Sequence, residues 1–300
     1  MQPHGFMIPD NDDLRMALAA ASIGGQAIEA GLGKEQEFRQ KAVGDFVSAI
    51  DEAVDAAITG LLRQRCPSDR ICSEELNPTG ADAGGRLWIV DPLDGTSAFR
   101  FRVGMDLPSV LIALEVDGVT QVAVAYSPIS GEIFYAVKGG GAFCNGERLS
   151  TVWAPATIGE CWVDMNQYGD SRRKTLPFRM LRKRLRLHGG AALVTSFPPH
   201  SNAACWIGQG QRKLAVVIHD NDPDKVKQEI WDVAGQQLIA EEAGGVCVSL
   251  RGKRYDPRKP EPFMFAATSS LAGQVLGVLD RRQMGVLQVL DQFLPPPNWS

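Results

Sequence analysis

Apolar side chains recur at intervals of three and four residues in two segments near the start of the chain. The first segment carries Leu14, Leu18, Ala21, Gly25 and Ile28, and the second carries Val47, Ile50, Val54, Ile58 and Leu61. This spacing brings the apolar side chains to one face of a helix. We therefore predict two amphipathic helices whose apolar faces pack on a sheet.

Between residues 109 and 149 the pattern changes to short β-rich runs separated by turn residues. The runs cover residues 110–116, 119–126 and 132–137, and the turn pairs are Asp117-Gly118, Ser130-Gly131 and Asn145-Gly146. Asp-Gly and Asn-Gly pairs favour tight hairpins because both residues tolerate a positive φ. The pattern predicts an antiparallel meander.

The second half of the chain mixes strand-like and helical segments. After about residue 150 the sequence indicates a strand at 161–165, a basic helix at 172–186, and a helix at 230–243 that ends at Gly244-Gly245 as a C-cap would. Helices and antiparallel strands in blocks are typical of the α+β class. We expect an N-terminal α+β domain over residues 1–150 and a C-terminal α/β domain over residues 151–300.

Composition narrows the class of protein. The 300 residues are 44% hydrophobic and carry a formal net charge of -4, so no overall field attracts nucleic acid or an anionic membrane. No apolar run is long enough for a membrane span. The acidic start, with Asp10, Asp12 and Asp13, differs from a secretory signal, and the six cysteines lack a Cys-x-x-Cys pair. We expect a cytoplasmic protein with reduced thiols.

An apolar run at residues 87–90 leads directly into Asp91-Pro92-Leu93-Asp94-Gly95-Thr96-Ser97. Asp91 and Asp94 could converge on a hard cation, which prefers oxygen ligands, and the glycine would let backbone amides approach an anion. The same residue types also form ordinary turns. Two further acidic segments, Glu74-Glu75 and Asp232, favour the metal interpretation. Taken singly, the glutamates could be a solvated pair, and Asp232 could favour a helix N-terminus through the helix dipole.

The three acidic segments, in this order, resemble the signature of the inositol monophosphatase superfamily. These magnesium-dependent, lithium-sensitive phosphatases include archaeal-type fructose bisphosphatases and phosphoadenosine phosphate phosphatases. The resemblance extends from about Asp45 to Gly245. It implies a layered α-β-α-β-α sandwich that forms a homodimer, with the active site between the N-terminal and C-terminal halves. It also implies two or three Mg²⁺ ions, held by Glu74, Asp91, the Leu93 carbonyl, Asp94 and Asp232.

Residues 45–51 resemble the Asp-x-Val-Thr-x-x-Asp element of the same family, with Ser48 in place of threonine. The resemblance implies that Asp51 accepts a hydrogen bond from Thr96. With Glu74, this dyad would orient and help deprotonate the metal-bound water. The alternative for Asp51 is an unpartnered acid on a helix surface. The phosphate is expected against the backbone amides of Gly95, Thr96 and Ser97.

Two segments depart from the family pattern. Ser73 stands where the family usually has glycine before the paired glutamates, a change that should leave Glu74 in place. Residues 187–193 replace the usual Gly-Ser-Ala-Ala element that lines the substrate pocket. This second departure leaves the substrate specificity open.

A basic run stands out in this acidic protein. It contains Arg172, Arg173, Lys174, Arg179, Arg182, Lys183, Arg184 and Arg186. We interpret it as a solvated helix face. The alternative is that one or two of these arginines bind a second phosphate or another anionic group of the substrate. Nucleic-acid binding is less favoured because no aromatic platform or recognised motif accompanies the charge.

Lys225 bears on the choice of substrate. Inositol-specific members carry a glutamate seven residues before the aspartate of the third motif, and an ungapped count here reaches Lys225. A cation cannot accept hydrogen bonds from substrate hydroxyls, so Lys225 would favour a substrate with a second negative group. The alternative is that residues 220–224 form a lengthened loop, which would leave Lys225 in solvent.

These observations predict a magnesium-dependent phosphatase that hydrolyses a phosphate monoester of a small polyol or sugar by in-line attack of metal-activated water. The alternatives on the same scaffold are a nucleotide 3'-phosphatase, a fructose-1,6-bisphosphatase and a histidinol-phosphate phosphatase. A non-catalytic regulatory protein of this fold is a further alternative, and the complete set of acidic motifs argues against it. We expect a small phosphorylated metabolite as the partner, with no nucleic acid and no membrane.

Overall fold

The fold is seen in a computed structural model of the chain. The structure describes residues 9–32, 38–42, 45–77, 84–96, 108–167, 176–187, 190–195, 202–209, 214–220 and 229–279. Within these ranges, two large β-sheets and the helices packed on them form successive layers.

The larger sheet contains the predicted meander. Its strands are β3 (Arg70–Ser73), β4 (Arg86–Asp94), β5 (Ser109–Val116), β6 (Val119–Ser127), β7 (Glu132–Val137), β8 (Gly141–Cys144) and β9 (Glu147–Arg148), adjacent in that order. Only the pair β3 and β4 is parallel. The meander is confirmed, and positive φ angles at Asp117 (50°) and Asn145 (49°) mark its tight turns.

Two helices, α1 (Asp12–Gly31) and α2 (Ala49–Arg65), cover one face of this sheet, as predicted. Their apolar side chains, among them Leu14 and Ile58, form one buried cluster with Trp88 of the sheet. The prediction was wrong for Val47, which lies on β2 (Asp45–Ser48), paired with β1 (Phe38–Ala42). The helix cannot include Val47 because Ser48 is its N-cap.

The smaller sheet belongs to the second half of the chain. Its strands are β10 (Trp162–Gln167), β11 (Leu193–Thr195), β12 (Leu214–Asp220), β13 (Val246–Ser249) and β14 (Phe263–Ala266), in the order β11-β10-β12-β14-β13. β10 is parallel to β11 and β12, whereas β14 is antiparallel to both of its neighbours. The strand predicted at 161–165 is confirmed as β10.

The remaining helices complete the layers. They are α3 (Leu176–Leu187), α4 (Ala203–Trp206), α5 (Ile230–Glu242) and α6 (Ser269–Leu279), with a 3₁₀ turn at Ile158–Glu160. α5, which was predicted at 230–243, contacts β5 and β6 of the larger sheet and β13 of the smaller one. α6 packs on β14 and on α3. The order of layers is the predicted α-β-α-β-α sandwich.

One hydrophobic core joins the two halves of the chain. Leu111 and Ala123 of the larger sheet share a buried cluster with Val163 and Val216 of the smaller sheet and with Leu238 of α5. The boundary at residue 150 therefore separates the sheets but not the core, and the two-domain division remains a prediction. None of the helices in the described ranges is long and apolar enough to cross a membrane.

Candidate metal and phosphate site

Acidic side chains from three segments converge at one edge of the larger sheet. Asp91 and Asp94 end β4, and Asp232 lies in the first turn of α5, which packs across that sheet. Carboxylate oxygens of these three residues all lie within 4.8 Å of one another. Glu74 follows β3, which is parallel to β4, so both strands deliver their acids to the same edge. The backbone N–H of Glu74 donates to the Val90 carbonyl at 3.1 Å.

A β-bulge sets the direction of the two aspartates on β4. Residues three apart on a regular strand point to opposite faces of a sheet. Here Asp91 pairs with Leu111 while Asp94 pairs with Ser109, so three steps on β4 match two steps on β5. The extra residue brings both carboxylates to the face that carries α5. Pro92 fits inside the bulge because it has no N–H to give to the ladder.

The electrostatics of the cluster favour a bound cation. Burial raises the pKa of Asp91 well above its ordinary value, and the negative charges of Glu74, Asp94 and Asp232 raise it further. Burial also raises the pKa of Asp232, to which Asp94 and Glu74 add. Buried like charges repel one another unless a counter-charge is present. An all-oxygen set of this kind fits a hard divalent ion such as Mg²⁺.

A hydrogen-bonded dyad lies beside the carboxylates. The hydroxyl of Thr96 lies 2.8 Å from Oδ1 of Asp51 and 3.0 Å from the Leu93 carbonyl oxygen. Asp51 Oδ2 accepts from the backbone N–H of Ser48 at 2.8 Å and from the Ser48 hydroxyl at 2.5 Å. Asp51 is buried, not a surface acid. Ser48 therefore supplies the hydroxyl that the family pattern places there as threonine.

The segment expected to hold phosphate begins with a glycine in a left-handed backbone conformation. Gly95 has φ 92°, a conformation that favours glycine, and Thr96 is the first helical residue after it. Ser97 and Lys225, which the sequence also marks as phosphate or substrate contacts, lie outside the described residues, so their roles stay predictions.

Sequence reasoning missed two contributors near this site. Asp55, fully buried on α2, accepts hydrogen bonds from the backbone N–H groups of Glu75 and Leu76, at 3.0 and 3.2 Å. Its position one helical turn after Asp51 was the available signal. The second contributor is the start of α4.

The start of α4 is a second candidate for the counterpart of the Gly-Ser-Ala-Ala element, beside residues 187–193. Leu187 and Leu193 are exposed ends of α3 and β11. In contrast, Ala203 and Ala204 are buried in α4, which packs on α5. The preceding Asn202 donates from Nδ2 to the Ser127 hydroxyl at 2.7 Å. Both segments contain an Ala-Ala pair, and the burial of Ala203 and Ala204 favours the second segment.

The basic run is in part the solvated face that we expected. Arg182, Lys183 and Arg186 are exposed on α3. Arg184 is the exception in the described part of the run, because it is buried and donates to the Val278 carbonyl of α6 at 3.1 Å. It ties α3 to α6. Residues 172–174 lie outside the described ranges.

Comparisons with known proteins agree on one family. The sequence model of the inositol monophosphatase family matches residues 10–284. The fructose-1,6-bisphosphatase/inositol-1-monophosphatase of Thermotoga maritima is 33% identical over 211 residues, covering 70% of this chain and 73% of that protein. The Nus factor SuhB of Pasteurella multocida is 30% identical over 250 residues, covering 81% and 86%. A solved Thermotoga maritima IMPase has the same fold, with a TM-score of 0.75 at 24% identity over 94% of this chain and 99% of that chain.

Proposed function

Since this chain belongs to the inositol monophosphatase family, whose members are metal-dependent phosphoric monoester hydrolases, we propose that its substrate is the phosphate monoester of a small polyol or sugar. The observation that carries the proposal is the convergence of three carboxylates within 4.8 Å of one another. A hydrogen-bonded Thr96 stands beside them. Phosphate monoesters resist hydrolysis in water, so a catalyst must both activate water and neutralise the leaving oxygen. Bound divalent cations supply both effects.

The metal ligands follow from the same cluster. We assign two or three Mg²⁺ ions to the side chains of Glu74, Asp91, Asp94 and Asp232 and to the Leu93 carbonyl. The raised pKa values of Asp91 and Asp232 support this assignment, because a cation would offset the burial and the like-charge repulsion that raise them. The phosphate is assigned to the backbone amides of Gly95, Thr96 and Ser97, where the positive φ of Gly95 opens the turn.

The hydrogen bonds of the Thr96 hydroxyl indicate whether it would donate to the attacking water or accept from it. Its hydroxyl has a single proton, and both of its partners, Asp51 Oδ1 and the Leu93 carbonyl, are acceptors. The lone pairs of Thr96 Oγ1 therefore stay available to accept a hydrogen bond from the attacking water. The Glu74 carboxylate would take the proton that this water loses as its oxygen bonds to phosphorus. The ester P–O bond would break on the opposite side, and the leaving oxygen would take a proton from a second water molecule.

Substrate choice is the part of the proposal that needs direct measurement. Phosphate release should require Mg²⁺ for inositol 1-phosphate, fructose 1,6-bisphosphate, adenosine 3',5'-bisphosphate or histidinol phosphate, and a chelator should abolish it. The values of kcat/KM across this panel rank the alternatives. If Lys225 faces the substrate, the bisphosphates lead and Lys225→Glu reverses the order. Absence of release from every compound at saturating Mg²⁺ would contradict a catalytic role and favour the non-catalytic alternative.

We further propose a cytoplasmic homodimer whose partners are small phosphorylated metabolites, not nucleic acid or membrane. The location is supported by the cysteines, since none of the six forms a disulfide. The oligomeric state rests on the family resemblance alone. Sedimentation equilibrium of the full chain measures it directly.

A further inference from the structure

The turn that carries Glu74 is a closed unit. Ser73 N–H donates to the Asn77 carbonyl at 2.9 Å, and Asn77 N–H donates back to the Ser73 carbonyl at 3.2 Å. Residues 74–76 form the turn between these two. Their position relative to the rest of the site therefore depends on what holds the turn from outside.

Two contacts hold the turn from outside. The Glu74 N–H donates to the Val90 carbonyl of β4, and a carboxylate of α2 accepts from the two amides that follow Glu74. Asp55 Oδ2 accepts from two successive backbone N–H groups of the turn, those of Glu75 at 3.0 Å and Leu76 at 3.2 Å. Asp55 is 0% exposed, so water does not compete for these bonds. Both bonds are of ordinary N–H···O length. The residue next to Glu74 in sequence is thus fixed to α2.

The same helix also fixes the opposite side of the site. Asp51 and Asp55 are four residues apart and share one helix face. Asp51 holds the Thr96 hydroxyl, while Asp55 holds the turn beyond Glu74. One rigid helical turn consequently sets the separation between the two groups that would act on water.

We propose that Asp55 is a positioning residue that places the Glu74 carboxylate at the metal site. The inference rests on the proposed role of Glu74 as a metal ligand and base. Without an acceptor at position 55, two buried N–H groups lose their partner and the turn must shift to find another. Glu74 would shift with it. Residues that orient metal ligands in this way typically change metal affinity or activity by about 10- to 100-fold.

The test measures metal affinity without substrate, from the electron paramagnetic resonance signal of free Mn²⁺. Asp55→Ala and Asp55→Leu both remove the acceptor, and the leucine keeps the volume filled if the alanine variant does not fold. Asp55→Asn keeps one acceptor oxygen. Thr59→Val is the matched control, because Thr59 is also fully buried on α2 and donates to the Asp55 backbone carbonyl at 2.8 Å. Thermal unfolding and phosphate release are recorded for every variant.

We expect the Mn²⁺ dissociation constant to rise about 10-fold in Asp55→Leu, to return within about threefold of wild type in Asp55→Asn, and to stay unchanged in Thr59→Val. An unchanged constant in Asp55→Leu, or an equal rise in Thr59→Val, would overturn the inference. Wild-type hydrogen exchange is a second measurement, because exchange of the Glu75 and Leu76 amides as fast as in an exposed loop would overturn it too. If the Mn²⁺ dissociation constants of the wild type and the variants followed this expectation but the wild type released no phosphate, the proposed function would fail and the positioning role would stand.

Discussion

Together with burial, the negative charge of Asp94 raises the pKa of both of its acidic neighbours, Asp91 and Asp232. We predict that Asp94→Asn abolishes magnesium-dependent turnover while the fold is kept, because a neutral amide replaces an anionic ligand. The metal-free variant should unfold at a temperature no lower than the wild type, since one like charge has been removed. Phosphate release and circular dichroism measure the two effects. Substantial activity in the pure variant would contradict the ligand assignment.

Thr96 is predicted to matter for turnover and not for binding. Thr96→Ala should lower kcat by about 10²- to 10⁴-fold with little change in KM, because the hydroxyl orients water and is not needed to bind the substrate. Thr96→Ser keeps the hydroxyl and is the matched control, which should retain most of the activity. Steady-state kinetics distinguish the two. A higher KM at unchanged kcat would make Thr96 a phosphate ligand only.

Among single residues, the sequence identified those that belong to a recognisable motif. Asp91, Asp94 and Asp232 were recognised together, because their segments stand in the order of a family signature. For Asp55 the spacing from Asp51 was the one local signal, and the amides that it binds lie 20 and 21 residues further along the chain. Only the packing of α2 against β3 brings them together.

Among the secondary-structure elements, α2 depends on a cap that also serves the site. The Ser48 hydroxyl lies 3.2 Å from the Ile50 N–H, and the Asp51 carboxylate accepts from the Ser48 backbone N–H, which completes a capping box. The Ser48 hydroxyl also donates to Asp51. We predict that Ser48→Ala lowers the free energy of unfolding by about 1 kcal/mol and also lowers kcat, because it loosens the partner of Thr96. Ser48→Thr keeps the hydroxyl and should match the wild type. Urea unfolding and kinetics test both effects, and a stability loss without a change in kcat would separate the cap from the site.

The strand β12 carries a buried histidine that should make the fold sensitive to acid. His219 stacks on Phe263 with ring centroids 4.7 Å apart, and burial lowers its pKa to about 3. The unfolded chain, with an ordinary pKa of about 6.5, binds a proton between these values while the folded protein does not. Stability should therefore fall as the pH drops through this window, by about 1.4 kcal/mol per unit from this residue.

Urea unfolding at pH 7 and pH 5 measures this effect of His219. His219→Phe removes the titrating group, so its loss of stability on acidification should be about 2 kcal/mol smaller than that of the wild type. Equal losses in the two proteins would show that His219 does not contribute to the acid sensitivity.

Helices and strands were predictable where turn or capping residues mark their ends in the sequence. The meander and α5 were located correctly because Asp-Gly, Asn-Gly and Gly-Gly pairs mark their ends. The counterpart of the Gly-Ser-Ala-Ala element was not predictable in this way, because Ala-Ala pairs occur both at residues 191–192 and at residues 203–204. In the structure, Ala203 and Ala204 are buried in α4, which packs on α5.

For the whole molecule, the shared core predicts one unfolding transition. α5 packs on both sheets, and Glu242 at its end accepts from the backbone N–H groups of Gly139 and Gly141, at 2.7 and 2.9 Å. Neither half can keep its buried surface when the other unfolds. Calorimetry should therefore show a single peak whose calorimetric and van't Hoff enthalpies agree. Two resolved peaks would support independent domains divided near residue 150.

The extra residue between Asp91 and Asp94 makes the metal site depend on the number of residues in this segment. Side chains alternate between the two faces of a strand, so the count of positions between Asp91 and Asp94 decides whether the second acid meets the first or points into the packing under α1 and α2. Substitutions between them leave that count intact. Gaining or losing a single codon there would separate the acids at once.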